Sequence, residues 1–229
     1  MLSQEEWTAV LLSLRVALCA TLFGLPVAIA AAYVLARFRF PGRALLNTLV
    51  VLPLVLPPVV TGYLLLVLFG RRGPLGHALE SCCGIVFSFR WTGAALASGI
   101  MAFPLVVRAI RLSVEAVDQR LEAAAATLGA NPVVVFGTVT LPLALPGVIA
   151  GAVLGFAKAL GEFGATITFV SNIPGQTQTL PLALYTYTQV PGGDAPTLRL
   201  TIVSVLLAVG AVAVSEWLIA RLTTRDRRP

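Results

Sequence analysis

The chain has 229 residues, of which 58% are hydrophobic and only 11% are charged. Soluble domains carry about 25% charged residues, which they need to coat their surface. The composition therefore excludes a soluble enzyme, a disordered chain and a small disulfide scaffold, and it predicts an integral membrane protein. The net charge is +6, but the arginines lie in short clusters between apolar stretches. That pattern is typical of membrane topology and not of nucleic-acid binding.

Five apolar stretches, separated by charged residues, are long enough to cross a bilayer. They cover approximately residues 10–36, 44–70, 91–110, 142–163 and 198–220. A helix needs roughly 20 apolar residues to cross about 30 Å of hydrocarbon, whereas the alternating pattern of a transmembrane strand does not occur here. We therefore predict an all-α membrane protein, a polytopic bundle of five transmembrane helices in a single domain, 1–229.

The positions of the arginines predict the orientation. With the amino terminus in the periplasm, the cytoplasmic side holds Arg37, Arg39, Arg43, Arg108, Arg111, Arg120, Arg221, Arg225, Arg227 and Arg228, and the outer side holds Arg71, Arg72, Arg90 and Arg199. This excess of inner positive charge favours a periplasmic amino terminus and a cytoplasmic carboxyl terminus. No basic segment precedes the first span, so we expect that span to remain as an anchor. The segment 164–197, with a short helix at 180–190, is then periplasmic.

The segment 113–141 is predicted to be cytoplasmic and to contain two short helices. Residues 123–128 are strong helix formers, and Gly129 suits the position just after a helix end. Asn131 and Pro132 have the residue types of an N-cap and a first helical position. A loop that only connects two spans does not require two helices with a sharp turn between them.

The same segment resembles the EAA loop of permeases from importer-type ABC transporters. The family pattern is Glu-Ala-Ala, three residues, Gly, nine residues, then Ile-x-Leu-Pro. The residues that match it are Glu122, Ala123, Ala124, Gly129, Val139, Leu141 and Pro142. The spacing from Gly129 to Pro142 fits, and Val139 takes the place of the isoleucine. The glutamate departs from the pattern. Ala123 occupies the position at which the family has its glutamate, and Glu122 lies one residue upstream.

Other segments are similar to the molybdate-permease branch of that family, namely 52–60, 70–73, 159–167 and 171–175. The resemblance implies a type I ABC importer permease in the cell inner membrane. It also implies a homodimer with a second copy, a cytoplasmic ABC ATPase dimer docked at the EAA loop, and a periplasmic molybdate-binding protein. ATP and Mg would be bound by the ATPase, because this chain has no phosphate-binding Gly-x-x-x-x-Gly-Lys-Ser/Thr motif. We expect no cofactor, metal, catalytic residue or nucleic-acid partner in this chain.

Two alternatives remain at this stage. The first is a sulfate or tungstate permease of the same family, since the residues that select among tetrahedral oxyanions cannot be identified from the sequence. The second is a membrane-embedded enzyme, but His77 is the one histidine and the acidic residues are scattered singly. Nucleophilic or acid–base chemistry needs such groups in pairs.

Two groups of residues are candidates for the transport pathway. Prolines within the second span, Pro53, Pro57 and Pro58, interrupt its hydrogen-bond ladder, which a membrane helix tolerates only beside protein or a water-filled cavity. The other group, Lys158, Gly161, Glu162 and Gly164, lies at the end of the fourth span. Lys158 and Glu162 are four residues apart and share one helix face. They either attract the anionic substrate or form a structural ion pair.

Overall fold

A computed structural model shows a bundle of helices. It describes residues 2–225, and beyond residue 214 it describes the side chains of Glu216 and Trp217 only. This part of the chain contains eleven α-helices and one π-helical turn, and no strand, so the predicted all-α fold is confirmed. In chain order the helices are α1 (Gln4–Arg37), α2 (Arg43–Val55), α3 (Pro58–Phe69), α4 (Pro74–Cys83), α5 (Trp91–Ala116), α6 (Gln119–Thr127), α7 (Pro132–Val135), α8 (Leu141–Leu160), α9 (Gly164–Val170), α10 (Leu180–Thr188) and α11 (Asp194–Arg225).

Four stretches of helix are long and apolar enough to cross a membrane. They are α1, α5, the first part of α11, and a helix that runs from Pro132 to Leu160. The last of these joins α7 to α8 through the π-helical turn Phe136–Thr140. The helix that contains the fourth predicted span therefore begins ten residues earlier than residue 142, and it ends at Leu160 instead of residue 163.

The second predicted span is two helices and not one. α2 and α3 are bent by 115° where they meet. Leu56 is extended there, and Pro57 and Pro58 follow it. Proline cannot donate a backbone hydrogen bond, and it is tolerated in the first turn of a new helix. Pro53, in contrast, lies inside α2, so the break comes from the proline pair.

The centre of the bundle is α5, which packs most extensively against α8 and α1. α8 meets α5 through Gly147, Gly151 and Gly155, which are spaced four residues apart. A methyl group added at Gly151 would lie 3.2 Å from the carbonyl oxygen of Val106, and one added at Gly155 would lie 2.6 Å from a Val106 methyl. Small residues at this spacing allow two membrane helices to approach closely.

The first and last spans begin side by side. Glu6 is buried at the start of α1, and its side chain accepts hydrogen bonds from Arg199 of α11 at 2.6 and 3.3 Å. Glu6 also forms a capping box with Ser3. Local sequence patterns do not indicate this ion pair, because its two residues lie 193 positions apart.

Other helix limits differ moderately from the predictions. α5 continues to Ala116, six residues past the predicted end, and α11 begins at Asp194, four residues early. His77, the one histidine, lies on α4. The short helix predicted at 180–190 is confirmed by α10. Arg227 and Arg228, assigned to the cytoplasmic tail, lie outside the described residues.

Candidate functional site

The segment between α5 and α8 is an ordered helical loop (residues 117–140). α6 ends in a Schellman motif, in which Gly129 N–H donates to the Ala126 carbonyl and Ala130 N–H donates to the Ala125 carbonyl. Gly129 has φ +89°, a backbone conformation that suits glycine. Asn131 then caps α7 by accepting a hydrogen bond from Val134 N–H at 2.9 Å. The first predicted short helix and the glycine turn are therefore confirmed, whereas the second predicted helix is the beginning of the long helix Pro132–Leu160.

The tip of this helical loop carries exposed apolar side chains. Leu128 is 89% exposed, and Val133 on the other side of the turn is also exposed. Ala123 and Ala124, which occupy part of the EAA pattern, lie on the exposed face of α6. Exposed apolar groups that cluster on an ordered loop are typical of a surface that contacts another protein.

The other residues of the EAA pattern lie against the bundle. Val139 is half-buried in the π-helical turn, and Leu141 packs on the buried cluster of α1, α5 and α8. Pro142 is exposed and directly follows the π-helical turn, where its ring and its missing N–H disfavour the regular α-helical hydrogen bond. Glu122 turns inward, and its carboxylate accepts hydrogen bonds from Arg37 at 3.0 and 3.2 Å.

A second site lies where two helices break next to each other. The break before α3 leaves Pro58 at its first position, and the break before α9 leaves Gly164 at its first position. A methyl group added at Gly164 would lie 2.7 Å from Pro58 Cβ, so these two helix starts are in direct contact. The contact continues one turn along α3, where a methyl group on Gly62 would lie 2.6 Å from the carbonyl oxygen of Ala165. The structure thus brings together candidates from the second and fourth predicted spans.

Lys158 and Glu162 form an ion pair beside this contact. Lys158 Nζ donates to Glu162 Oε2 at 2.7 Å, and Ala165 N–H donates to the other carboxylate oxygen at 3.0 Å. The Glu162 side chain is 1% exposed and that of Lys158 is 32% exposed. Because Glu162 satisfies a backbone donor at the start of α9, it stabilises the helix break. The two charges therefore form an ion pair at the end of α8.

Gly161 lies at the end of α8 and lines a largely apolar cavity of about 560 Å³ between α8, α10 and α11. Phe163 and Tyr185 also line it, and their rings are in contact at 5.2 Å between centroids. Among the side chains that the structure describes, no group of three or more His, Cys, Asp or Glu residues could hold a metal ion.

The ion pair predicts a specific pattern of stability. Lys158→Gln should lower the free energy of unfolding by about 1–3 kcal/mol, because it removes the positive charge that compensates the buried Glu162 carboxylate. The double variant Lys158→Gln/Glu162→Gln should recover most of this loss, since no uncompensated charge stays buried. Thermal unfolding of the purified proteins in detergent measures the stability of the single and the double variant. If both variants are as stable as the parent and neither supports transport, the lysine charge serves the anion instead.

The fold is the one found in type I permeases of ABC importers. Two solved structures match most of the chain. One is a bacterial alginate ABC transporter in complex with an alginate pentasaccharide-bound periplasmic protein, with TM-score 0.76, 17% identity and coverage of 96% of this chain and 80% of that chain. The other is the MetNI methionine ABC transporter in an inward-facing conformation, with TM-score 0.69, 15% identity and coverage of 96% and 94%.

Sequence comparison gives the family. The family model for the binding-protein-dependent transport system inner membrane component matches residues 24–224, and the chain belongs to this family. The molybdenum transport system permease protein ModB of Escherichia coli K12 is 59% identical over 226 residues, 99% of this chain and 98% of that protein. ModB of Haemophilus influenzae is 56% identical over 217 residues, 95% of each. The sulfate transport system permease protein CysW of Synechococcus elongatus is 45% identical over 162 residues, 71% of this chain and 55% of that protein.

Proposed function

We propose that this chain is the membrane-spanning permease subunit of an ATP-driven importer that translocates molybdate across the inner membrane. The observation that carries the proposal is the identity of 59% with a molybdenum permease along nearly the full length of both proteins. The sulfate permease CysW matches over little more than half of its own length. Molybdate is therefore favoured over sulfate.

The helical loop is the proposed docking site of a cytoplasmic ABC ATPase dimer. An ATPase can move the membrane helices only through an ordered contact, and the loop ends in a defined glycine turn with Leu128 and Val133 exposed. ATP and Mg are bound and ATP is hydrolysed in that partner, so this chain has no catalytic activity and no cofactor of its own. The sequence supports this division, because it contains no phosphate-binding glycine-rich motif.

The proposed assembly also contains a second copy of the chain and a periplasmic molybdate-binding protein. Large apolar side chains are exposed along α2 and α3, including Leu49, Val55, Val59 and Tyr63. These side chains face lipid or a second copy. We propose that two copies pair around the broken helices and enclose the anion path between them. The contact between Pro58 and Gly164 is then part of the movable wall of the path.

The proposed orientation has the amino terminus in the periplasm and the helical loop in the cytoplasm. A chain with Cys19, Cys82 and Cys83 replaced by serine should tolerate a single new cysteine at either of two exposed sites. In intact cells, an impermeant maleimide should label Ser81→Cys and should label Thr127→Cys only after the membrane is opened. The reverse pattern contradicts the orientation.

Reconstituted transport tests the function directly. The chain is assembled in proteoliposomes with its ATPase, and the molybdate-binding protein is added outside. We expect ATP-dependent uptake of labelled molybdate, competition by tungstate, and no uptake with a non-hydrolysable ATP analogue. Uptake of sulfate with a sulfate-binding protein, and none of molybdate, would assign the chain to the sulfate permeases. No ATP-dependent uptake of any oxyanion would contradict the proposal as a whole.

A further inference from the structure

A small polar network joins the helical loop to the end of α1. Arg37 is the last residue of α1, and Glu122 lies in the first turn of α6. A cation at the carboxyl end of a helix and an anion at the amino end of another are both favourable with respect to the helix dipoles. The pair is well shielded, because the Arg37 side chain is 9% exposed and that of Glu122 is 16% exposed.

Two further groups complete the network. Thr140, fully buried at the end of the π-helical turn, donates to Glu122 Oε1 at 2.6 Å. Arg37 also donates to the carbonyl oxygen of Val117, which caps the end of α5, at 3.0 Å. The network therefore fastens α1, the end of α5, α6 and the turn that leads into α8 to one another.

The Glu122 carboxylate faces the bundle, whereas the neighbouring residues form the exposed surface of the loop. Ala123, Ala124 and Leu128 lie on the exposed side, while Oε1 of Glu122 accepts hydrogen bonds from Arg37 and Thr140 on the inner side. Its position one residue upstream of the EAA pattern is thus a rotation of about 100° around the helix axis, at 3.6 residues per turn. That rotation moves the carboxylate from the outer face to the inner face.

We infer that Glu122 is a positioning residue that locks the docking helix α6 to α1 and to the π-helical turn before α8. A displacement of α6 by the ATPase is then passed to both spans as one rigid unit. This inference rests on the proposed function, in which an ATPase docks at the helical loop. It assigns the ATPase contact to the exposed apolar face and the coupling of the membrane helices to the buried network.

Four variants test the inference. Glu122→Ala and Arg37→Glu break the ion pair from either side, Arg37→Glu/Glu122→Arg reverses it, and Thr140→Val removes one donor. Glu115→Ala is the matched control, because Glu115 lies at the same end of the bundle and loses only a more exposed pair with Arg111. All proteins are purified with the ATPase, and three quantities are measured. They are the amount of ATPase that copurifies, the basal ATPase rate, and its stimulation by molybdate-loaded binding protein.

We expect the two single charge variants to copurify with the ATPase, while the stimulation by loaded binding protein falls about tenfold, the loss that follows when a shielded charge loses its partner. The reversed pair should recover part of the stimulation, Thr140→Val should show a smaller loss, and Glu115→Ala should match the parent. If Glu122→Ala instead fails to copurify with the ATPase, the carboxylate is a docking contact and the inference is wrong. Stimulation equal to that of the parent in Glu122→Ala also overturns it.

Hydrogen exchange separates this inference from the proposed function. In the purified chain alone, Glu122→Ala should speed amide exchange in residues 119–127 by about tenfold, because α6 loses its attachment to α1. Glu115→Ala should leave that exchange unchanged. This readout requires neither molybdate nor the ATPase, so a parent protein that fails to transport molybdate contradicts only the function. Unchanged exchange in Glu122→Ala contradicts only the network.

Discussion

Gly129→Val should reduce molybdate import by about tenfold or more while the protein still inserts in the membrane. Gly129 has φ +89°, and nothing lies within 4 Å of a methyl group added there. The substitution therefore strains the backbone conformation and does not crowd neighbouring atoms. This strain costs about 1–2 kcal/mol for a residue with a side chain and more for a β-branched one. The strain should open the Schellman turn and misplace Leu128, which is the most exposed large hydrophobic residue of the loop.

Gly129→Asn is the matched control, because asparagine adopts positive φ more readily than other residues with a side chain. We expect it to retain most of the import activity. Import of labelled molybdate by cells is measured together with the amount of permease in the membrane. Equal import by the valine and asparagine variants would show that the turn conformation is not needed for coupling.

Gly62→Ala should lower the melting temperature of the purified protein substantially. The added methyl group would lie 2.6 Å from the Ala165 carbonyl oxygen and 2.9 Å from Thr168 Cβ. One of these contacts is with backbone, which cannot move aside as a flexible side chain can. Overpacking of this kind costs about 1–3 kcal/mol. Because the contact joins α3 to α9, we expect import to fall together with stability.

Gly24→Ala is the control for helix propensity. Gly24 also lies inside a helix, α1, but nothing lies within 4 Å of its added methyl group. Alanine is favoured over glycine in a helix interior by about 1 kcal/mol, so this variant should be at least as stable as the parent. A Gly62→Ala protein that melts at the same temperature as Gly24→Ala would show that α3 and α9 are not packed this closely.

Local features of the helical loop followed from neighbouring residues. Asn131 and Pro132 begin a helix, and Gly129 takes positive φ, because capping groups and a missing Cβ act within a few residues of the chain. The bend at Pro57 and Pro58 was predicted as an interruption of one span. The angle of the bend could not be predicted, since the direction of α3 depends on the contact between α3 and α9.

The close approach of α8 to a neighbouring helix is partly encoded in the sequence. Gly147, Gly151 and Gly155 follow the small-residue spacing of close membrane helix pairs, and that signal is present in the sequence. The spacing does not show which helix faces these glycines, and in the structure that helix is α5. The role of Glu122 also could not be predicted from the sequence, because its partner Arg37 lies 85 positions away.

Local sequence features are sufficient to identify a helical membrane protein with an ordered EAA-type loop. Apolar length, the scarcity of charge and helix caps act over a few turns, so each can be identified without knowledge of the fold. Three contacts became visible only in the folded bundle. Pro58 meets Gly164, Glu162 accepts a hydrogen bond from Ala165 N–H while it pairs with Lys158, and Glu122 faces Arg37. These contacts depend on how separate helices are rotated and tilted against one another, and that is set by the packing of the whole bundle at once.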